Sequence, residues 1–114
     1  MPLYESVIVS RQDISKSQND NIINEFQKLI TDQTGEIKKN EYWGLKNLAY
    51  EISKNKKAHY NMLIFEAESK LIAEYERQLK LHEDIIRFMT LKIKNYDSKP
   101  SIMVKPHDDN KDET

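Results

Sequence analysis

Lysine is the residue type through which this chain can do chemistry, and its lysines are unevenly placed. Between Lys38 and Lys57 stand Lys38, Lys39, Lys46, Lys54, Lys56 and Lys57, opposed only by Glu41 and Glu51. A strip of ammonium groups with aromatic residues nearby suits contact with nucleic-acid phosphates, with rings available for stacking or wedging. Lys46, Lys54, Lys56 and Lys57 are the candidate phosphate contacts, with Trp43, Tyr50 and His59 as candidates for stacking or polar contacts. Arg87 lies among apolar neighbours in a strand-like segment. A bidentate phosphate or carboxylate contact would justify that placement, and so would a salt bridge to Glu5. The chain as a whole is nearly neutral, with 18 Lys and Arg against 19 Asp and Glu, which argues against a generic nucleic-acid binder. The segregation qualifies that total, because Asp108, Asp109, Asp112 and Glu113 crowd the far end.

Each of these residues also has a structural reading. A lysine-rich hairpin is commonly just a solvated turn. Tyr50 shares the period-two phase of Leu48 and Ile52, which favours packing over base stacking. Trp43 is out of that phase and divides between packing and contact with RNA or protein. His59 reads as a partly exposed strand residue.

Catalysis finds little support. Cysteine is absent, which removes thiolate nucleophiles, disulfides and Cys-based metal sites and gives no sign of secretion. Histidines at 59, 82 and 107 fall outside any His-x-x-x-His spacing, and no zinc pattern is present. Glycine occurs only at 35 and 44, so no glycine-rich phosphate loop can form. The pairs Glu66 with Glu68 and Asp108 with Asp109 fall at a helix entry and in a tail, where dipole compensation and solvation account for them. No long apolar run suggests a membrane span, and the expectation is a cytoplasmic protein.

The elements that must position the lysines follow from periodicity. With 114 residues the chain fits one domain around one core. Leu3 to Ser10 is rich in β-branched and aromatic residues and predicts a strand. Ile22, Ile23, Phe26, Leu29 and Ile30 gather on one helical stripe, with Ser15 or Ser17 as cap and Gly35 as stop. Strand character resumes from Ile37 to Ile52, with a change of phase near Lys46 and Asn47 that predicts a bulge or bend eased by Gly44. Residues 53–57 read as a polar hairpin connection into a strand from Ala58 to Phe65. Leu71, Ile72, Tyr75 and Leu79 form a second helical stripe, and a last strand runs from Ile85 to Ile93. The order predicts an α+β, ferredoxin-like βαββαβ sandwich: a four-stranded antiparallel sheet with two helices on one face. Apolar residues in both phases of strands one, three and four predict a partner for the open face or its edge. Residues 1–96 are expected to be the folded domain and 97–114 a flexible acidic tail, with a short ordered contact at most at Ile102-Met103-Val104.

The run Gly44-Leu45-Lys46-Asn47-Leu48-Ala49-Tyr50-Glu51-Ile52-Ser53 resembles the signature of the bacterial small-subunit ribosomal protein six family. Tyr4-Glu5, Trp43-Gly44, Lys57-Ala58-His59-Tyr60 and Ile86-Arg87 with Met89 also fall where that family has similar residues, so the resemblance extends from about Tyr4 to Lys94. It departs from the pattern at Pro2, Asn47 and Glu51, where relatives often carry a basic residue, a second cation and a proline. The resemblance implies a structural component without enzymatic activity, cofactor or metal. It also implies binding to small-subunit ribosomal RNA together with ribosomal protein eighteen, and contact with neither membrane nor DNA. On that reading Lys46, Lys54, Lys56, Lys57, His59, Arg87 and Lys92 are the expected RNA-binding residues, and Trp43, Leu45 and Tyr50 the expected partner or RNA contacts.

Fold does not dictate function, so a ferredoxin-like regulatory module that binds a small molecule or dimerises through its open sheet is the alternative. An acyl-phosphate hydrolase would want glycines beside Arg11 to cradle the phosphate, and they are absent. An RNA-recognition motif would want glycine and spaced aromatics between Lys57 and Phe65.

Overall fold

The computed structural model describes residues 1–52 and 54–100. Ser53, the Ile102-Met103-Val104 contact, His107 and the acidic cluster beyond it lie outside the described residues. The elements are β1 (Leu3–Arg11), α1 (Lys16–Asp32), β2 (Glu36–Ile52), β3 (Asn55–Glu66), α2 (Ser69–Leu81) and β4 (Ile85–Ile93). The strands form one antiparallel sheet in the order β2-β3-β1-β4, which leaves β2 and β4 as its edges. This is the expected ferredoxin-like arrangement.

Both helices bury their predicted stripes against one face of the sheet. Ile22, Ile23, Phe26 and Ile30 of α1 and Leu71, Tyr75 and Leu79 of α2 meet Tyr4, Ile8, Leu63 and Phe65 of β1 and β3. Phe26 packs edge-on against Tyr75, with ring centroids 5.9 Å apart. The Tyr75 hydroxyl donates to Ser6 Oγ at 2.8 Å, and burial pushes its ionisation well above the ordinary tyrosine range. Among these apolar residues sits a buried polar layer. Asn19 and Asn61 exchange amide hydrogen bonds, Nδ2 of each reaching Oδ1 of the other at 2.8 and 2.9 Å. Ser10 Oγ donates to Asn19 Oδ1 at 2.7 Å, and Asn61 Nδ2 also donates to the Ile8 carbonyl at 3.3 Å.

Ser15, rather than Ser17, caps α1 in a capping box: Gln18 N–H donates to Ser15 Oγ and Ser15 N–H to Gln18 Oε1. The helix stop differs from expectation. Thr34, not Gly35, adopts the left-handed conformation after the helix, with φ of 65°. Gly35 is needed for close approach: a Cβ there would lie 2.6 Å from Ile30 Cγ2 and 2.8 Å from the Glu66 carbonyl oxygen. Backbone cannot retreat as a flexible side chain can. Gly35→Ala is therefore expected to cost about 2 kcal/mol. Thermal unfolding by circular dichroism should show the midpoint falling by on the order of 10 °C, and an unchanged midpoint would contradict the close approach.

β2 is irregular at more places than its phase suggests. Pairing with β3 shifts between Ile37 and Lys39, between Tyr42 and Gly44, and between Asn47 and Ile52. The last adjoins the expected position at Lys46-Asn47, while at the middle one Gly44 takes a φ of +100° that L side chains rarely adopt. The hairpin closes with Ile52 opposite Asn55. Asn55, Lys56 and Lys57 are consequently strand residues of β3 rather than a connection.

Candidate nucleic-acid interface

Register lays out the sheet face away from the helices in rows. Arg87, Val9, Tyr60 and Gly44 share one row, and Arg11, Ala58 and Lys46 the next toward the hairpin. Lys56, two positions before Ala58 in β3, continues the same face. One end of the open face thus collects Arg87, Arg11, Lys46 and Lys56 around Tyr60. Lys54 occupies the turn, with φ of 67°, and Lys57 points to the opposite side, in register with Asn47. The hairpin carries cations on both faces and at its tip.

Its base is fixed to the end of β1. Gln12 N–H donates to Asn55 Oδ1 at 3.0 Å, Lys57 N–H donates to Gln12 Oε1 at 3.1 Å, and Asn55 Nδ2 donates to the Ile52 carbonyl at 3.1 Å. These bonds hold the lysine-bearing segment at a defined height above the sheet. Arg11, Lys54, Asn55 and Ile86 line an open cleft of about 400 Å³ at that base.

Electrostatics divides the basic strip in two. Lys38 is paired with Glu36 at 3.2 Å and Glu66 at 3.9 Å, and its ammonium is held above its ordinary value, chiefly by the hydrogen bond to Glu36. Lys39 is paired with Glu41 at 3.4 Å. Arg11 is compensated by Asp84 at 2.8 Å and Asp13 at 3.4 Å. Among the described residues, by contrast, Lys46, Lys54, Lys56, Lys57, Arg87 and Lys92 take part in no ion pair. The salt bridge from Arg87 to Glu5 is not made: Arg87 stands opposite Val9, whereas Glu5 stands opposite Leu91, about 13 Å along the strand. An unpaired cation has no internal charge to surrender when it meets a phosphate, so these six carry the positive potential outward.

Not all the expected residues come together. Lys92 faces the helix side opposite Tyr4, about 17 Å along β4 from Arg87, and belongs to a separate part of the edge. His59 is buried rather than partly exposed, at 5%. Its Nε2 lies 2.9 Å from the Ile14 carbonyl, so that nitrogen donates and Nδ1, 2.8 Å away, accepts from the Tyr42 hydroxyl. Burial raises the ionisation of that hydroxyl, keeping it a donor. With both ring nitrogens engaged inside the fold, His59 offers nothing to a surface ligand. Tyr50 departs from expectation in the other direction: at 66% exposure it stands clear of the core, beside the irregular stretch of β2. Leu45 is also exposed, and Trp43 is half-buried, its Nε1 donating to Glu41 Oε1 at 2.8 Å. Met89 and Leu91 are exposed on the open face of edge strand β4. Their period-two spacing in a strand with apolar residues in both phases was the available signal. No group of three or more His, Asp or Glu among the described residues is placed to hold a metal ion.

A family model described as Ribosomal protein S6 matches residues 3–92. The small ribosomal subunit protein bS6 of Granulibacter bethesdensis is 44% identical over 112 residues, covering 98% of this chain and 73% of that protein. The protein of the same name from Ruegeria sp. is 41% identical over 109 residues, covering 96% and 93%. The crystal structure of 30S ribosomal protein S6 from Thermotoga maritima is similar with a TM-score of 0.76 and 26% identity, over 81% of this chain and 87% of that one.

Proposed function

Since the chain belongs to the ribosomal protein S6 family, and is thereby a structural, non-enzymatic component of the small ribosomal subunit in the cytoplasm, we propose that it binds small-subunit ribosomal RNA together with ribosomal protein eighteen. The observation that carries this reading is the set of cations without carboxylate partners at the hairpin end of the open face: Lys46, Lys54, Lys56, Lys57 and Arg87. Lysines there contact backbone phosphates and set orientation without reading much sequence. Lys92 adds a further contact from the far end of β4. Exposed Leu45 and Tyr50, together with half-buried Trp43, supply the apolar area against the partner protein or against bases. The partner role of ribosomal protein eighteen rests on the family resemblance. Residues 1–96 serve as the folded unit and 97–114 as an acidic tail, whose first residues touch Lys39.

Size-resolved binding of the purified chain to small-subunit ribosomal RNA, at two salt concentrations and with or without ribosomal protein eighteen, tests the proposal. Salt-sensitive binding that requires the partner is the expected result. A stable homodimer indifferent to both RNA and partner would move the assignment to a ligand-binding or dimerising regulatory module.

A further inference from the structure

The segment after β4 does not continue beside its own strand. Ile93 pairs with Leu3 at the β4 edge, yet the carbonyls of Asp97 and Lys99 each accept from Lys39 Nζ at 2.6 Å, and Lys39 belongs to β2 at the opposite edge. Three interstrand spacings amount to about 14 Å, and four extended residues reach about 14 Å. With the Lys39 side chain reaching part of the way, the segment is long enough to cross the sheet directly. Lys39 is in register with Ile64 on the side away from the helices and is only 11% exposed, so the crossing runs over the open face.

The anchor has the form of a lock. An ammonium has three N–H groups, and three acceptors surround this one: two carbonyls and the Glu41 carboxylate at 3.4 Å. Trp43 Nε1 holds the other oxygen of Glu41, and Asp97 Oδ1 accepts from the Lys99 N–H at 3.0 Å, which aligns the two carbonyls. On a face that no helix covers, Met62 and Ile64 of central strand β3 are 2% and 4% exposed, while Met89 and Leu91 of edge strand β4 are 54% and 49% exposed. The segment anchored at Lys39, beside Ile64, is placed to add to that difference.

We propose that residues 94–99 form a displaceable strap, locked by Lys39, which closes the β2–β3 half of the open face in the free chain and gives up that apolar ground to the partner protein on assembly. The strap itself stands on the geometry alone; its displacement rests on the function proposed above. The absence of cysteine makes one introduced thiol an exclusive probe. In the full chain, Met62→Cys is expected to react with a soluble thiol reagent at least tenfold more slowly than Met89→Cys. Adding Lys39→Met should speed the Met62→Cys reaction about tenfold and leave Met89→Cys unchanged. Asp97→Gly, which loosens the strap while sparing the Lys39–Glu41 pair, should do the same in a chain whose thermal midpoint is retained. Equal labelling of Met62→Cys in all three backgrounds would overturn the strap. Faster labelling in the loosened chains, combined with association to ribosomal protein eighteen no faster than wild type, would overturn displacement by that partner. Failure of the partner to bind at all would instead count against the proposed function and leave the labelling result standing.

Discussion

Asn61→Ala is expected to lower the free energy of unfolding by about 3–4 kcal/mol, a large part of the 5–15 kcal/mol typical of a domain. Asn61 lies at the centre of the buried polar layer, bonded to Asn19 through both amide groups and to the Ile8 carbonyl. Its removal leaves the Asn19 Nδ2 group without its partner in a site where Asn19 is 0% exposed. A buried donor stranded in this way costs about 1–3 kcal/mol, and the vacated volume adds a packing loss. Equilibrium urea unfolding measures the sum. Pairing the change with Asn19→Leu and Ser10→Ala should recover part of the loss, because Ser10 donates to Asn19 and replacing all three leaves no side-chain donor of the layer stranded. A combined variant whose loss equals the sum of its single variants, or an Asn61→Ala loss under about 1 kcal/mol, would mean the layer is not coupled as described.

The second large effect concerns RNA. Lys46→Gln, Lys56→Gln and Lys57→Gln combined should reduce affinity for small-subunit ribosomal RNA by on the order of 10- to 100-fold at low salt. They should also flatten the dependence of log K on log salt by about 2 to 3 units, since each lost phosphate contact removes about 0.7 to 0.9. Stability should hardly change, because among the described residues none of the three is in an ion pair. The comparison variant is Lys16→Gln with Lys28→Gln, whose partners Asp20 and Asp32 are both 2.9 Å away on α1. That pair removes two charges against the three of the triple variant, at positions already compensated. Filter binding or fluorescence anisotropy across a salt series separates the two, and an unchanged slope in the triple variant would remove the hairpin from the interface.

What could be read without coordinates was whatever depends on a single element. The stripes of α1 and α2, the span of β4 and the order of strands follow from local period, and each lies where that period requires. What depends on two elements at once was not legible. The register shifts are set by pairing of β2 against β3, so phase within β2 alone shows the one beside Asn47 and misses those at Ile37–Lys39 and Tyr42–Gly44. The compensation of Arg11 needs Asp84, just before β4, and the engagement of His59 needs Ile14 and Tyr42 from outside its strand. Tyr50 shares the phase of half-buried Leu48 and Ile52, but the ladder between Asn47 and Ile52 is irregular, and a phase has no meaning where pairing lapses. Asn19 and Asn61 could have been suspected, since both lie in phase with apolar neighbours where an amide must find a partner.

β4 is an edge strand of nine residues with Met89 and Leu91 uncovered, the kind of strand that templates aggregation between copies of a protein awaiting its assembly. Its ionisable side chains, Arg87 and Lys92, are both cationic, and Lys94 follows at once. Two such edges brought together would add cation to cation with no carboxylate of either strand between them, whereas a polyanion meets no such resistance. On the function proposed above, the same charges would serve both as gatekeepers against self-association and as contacts to phosphate, so that solubility before assembly and affinity within it would be two outcomes of one edge.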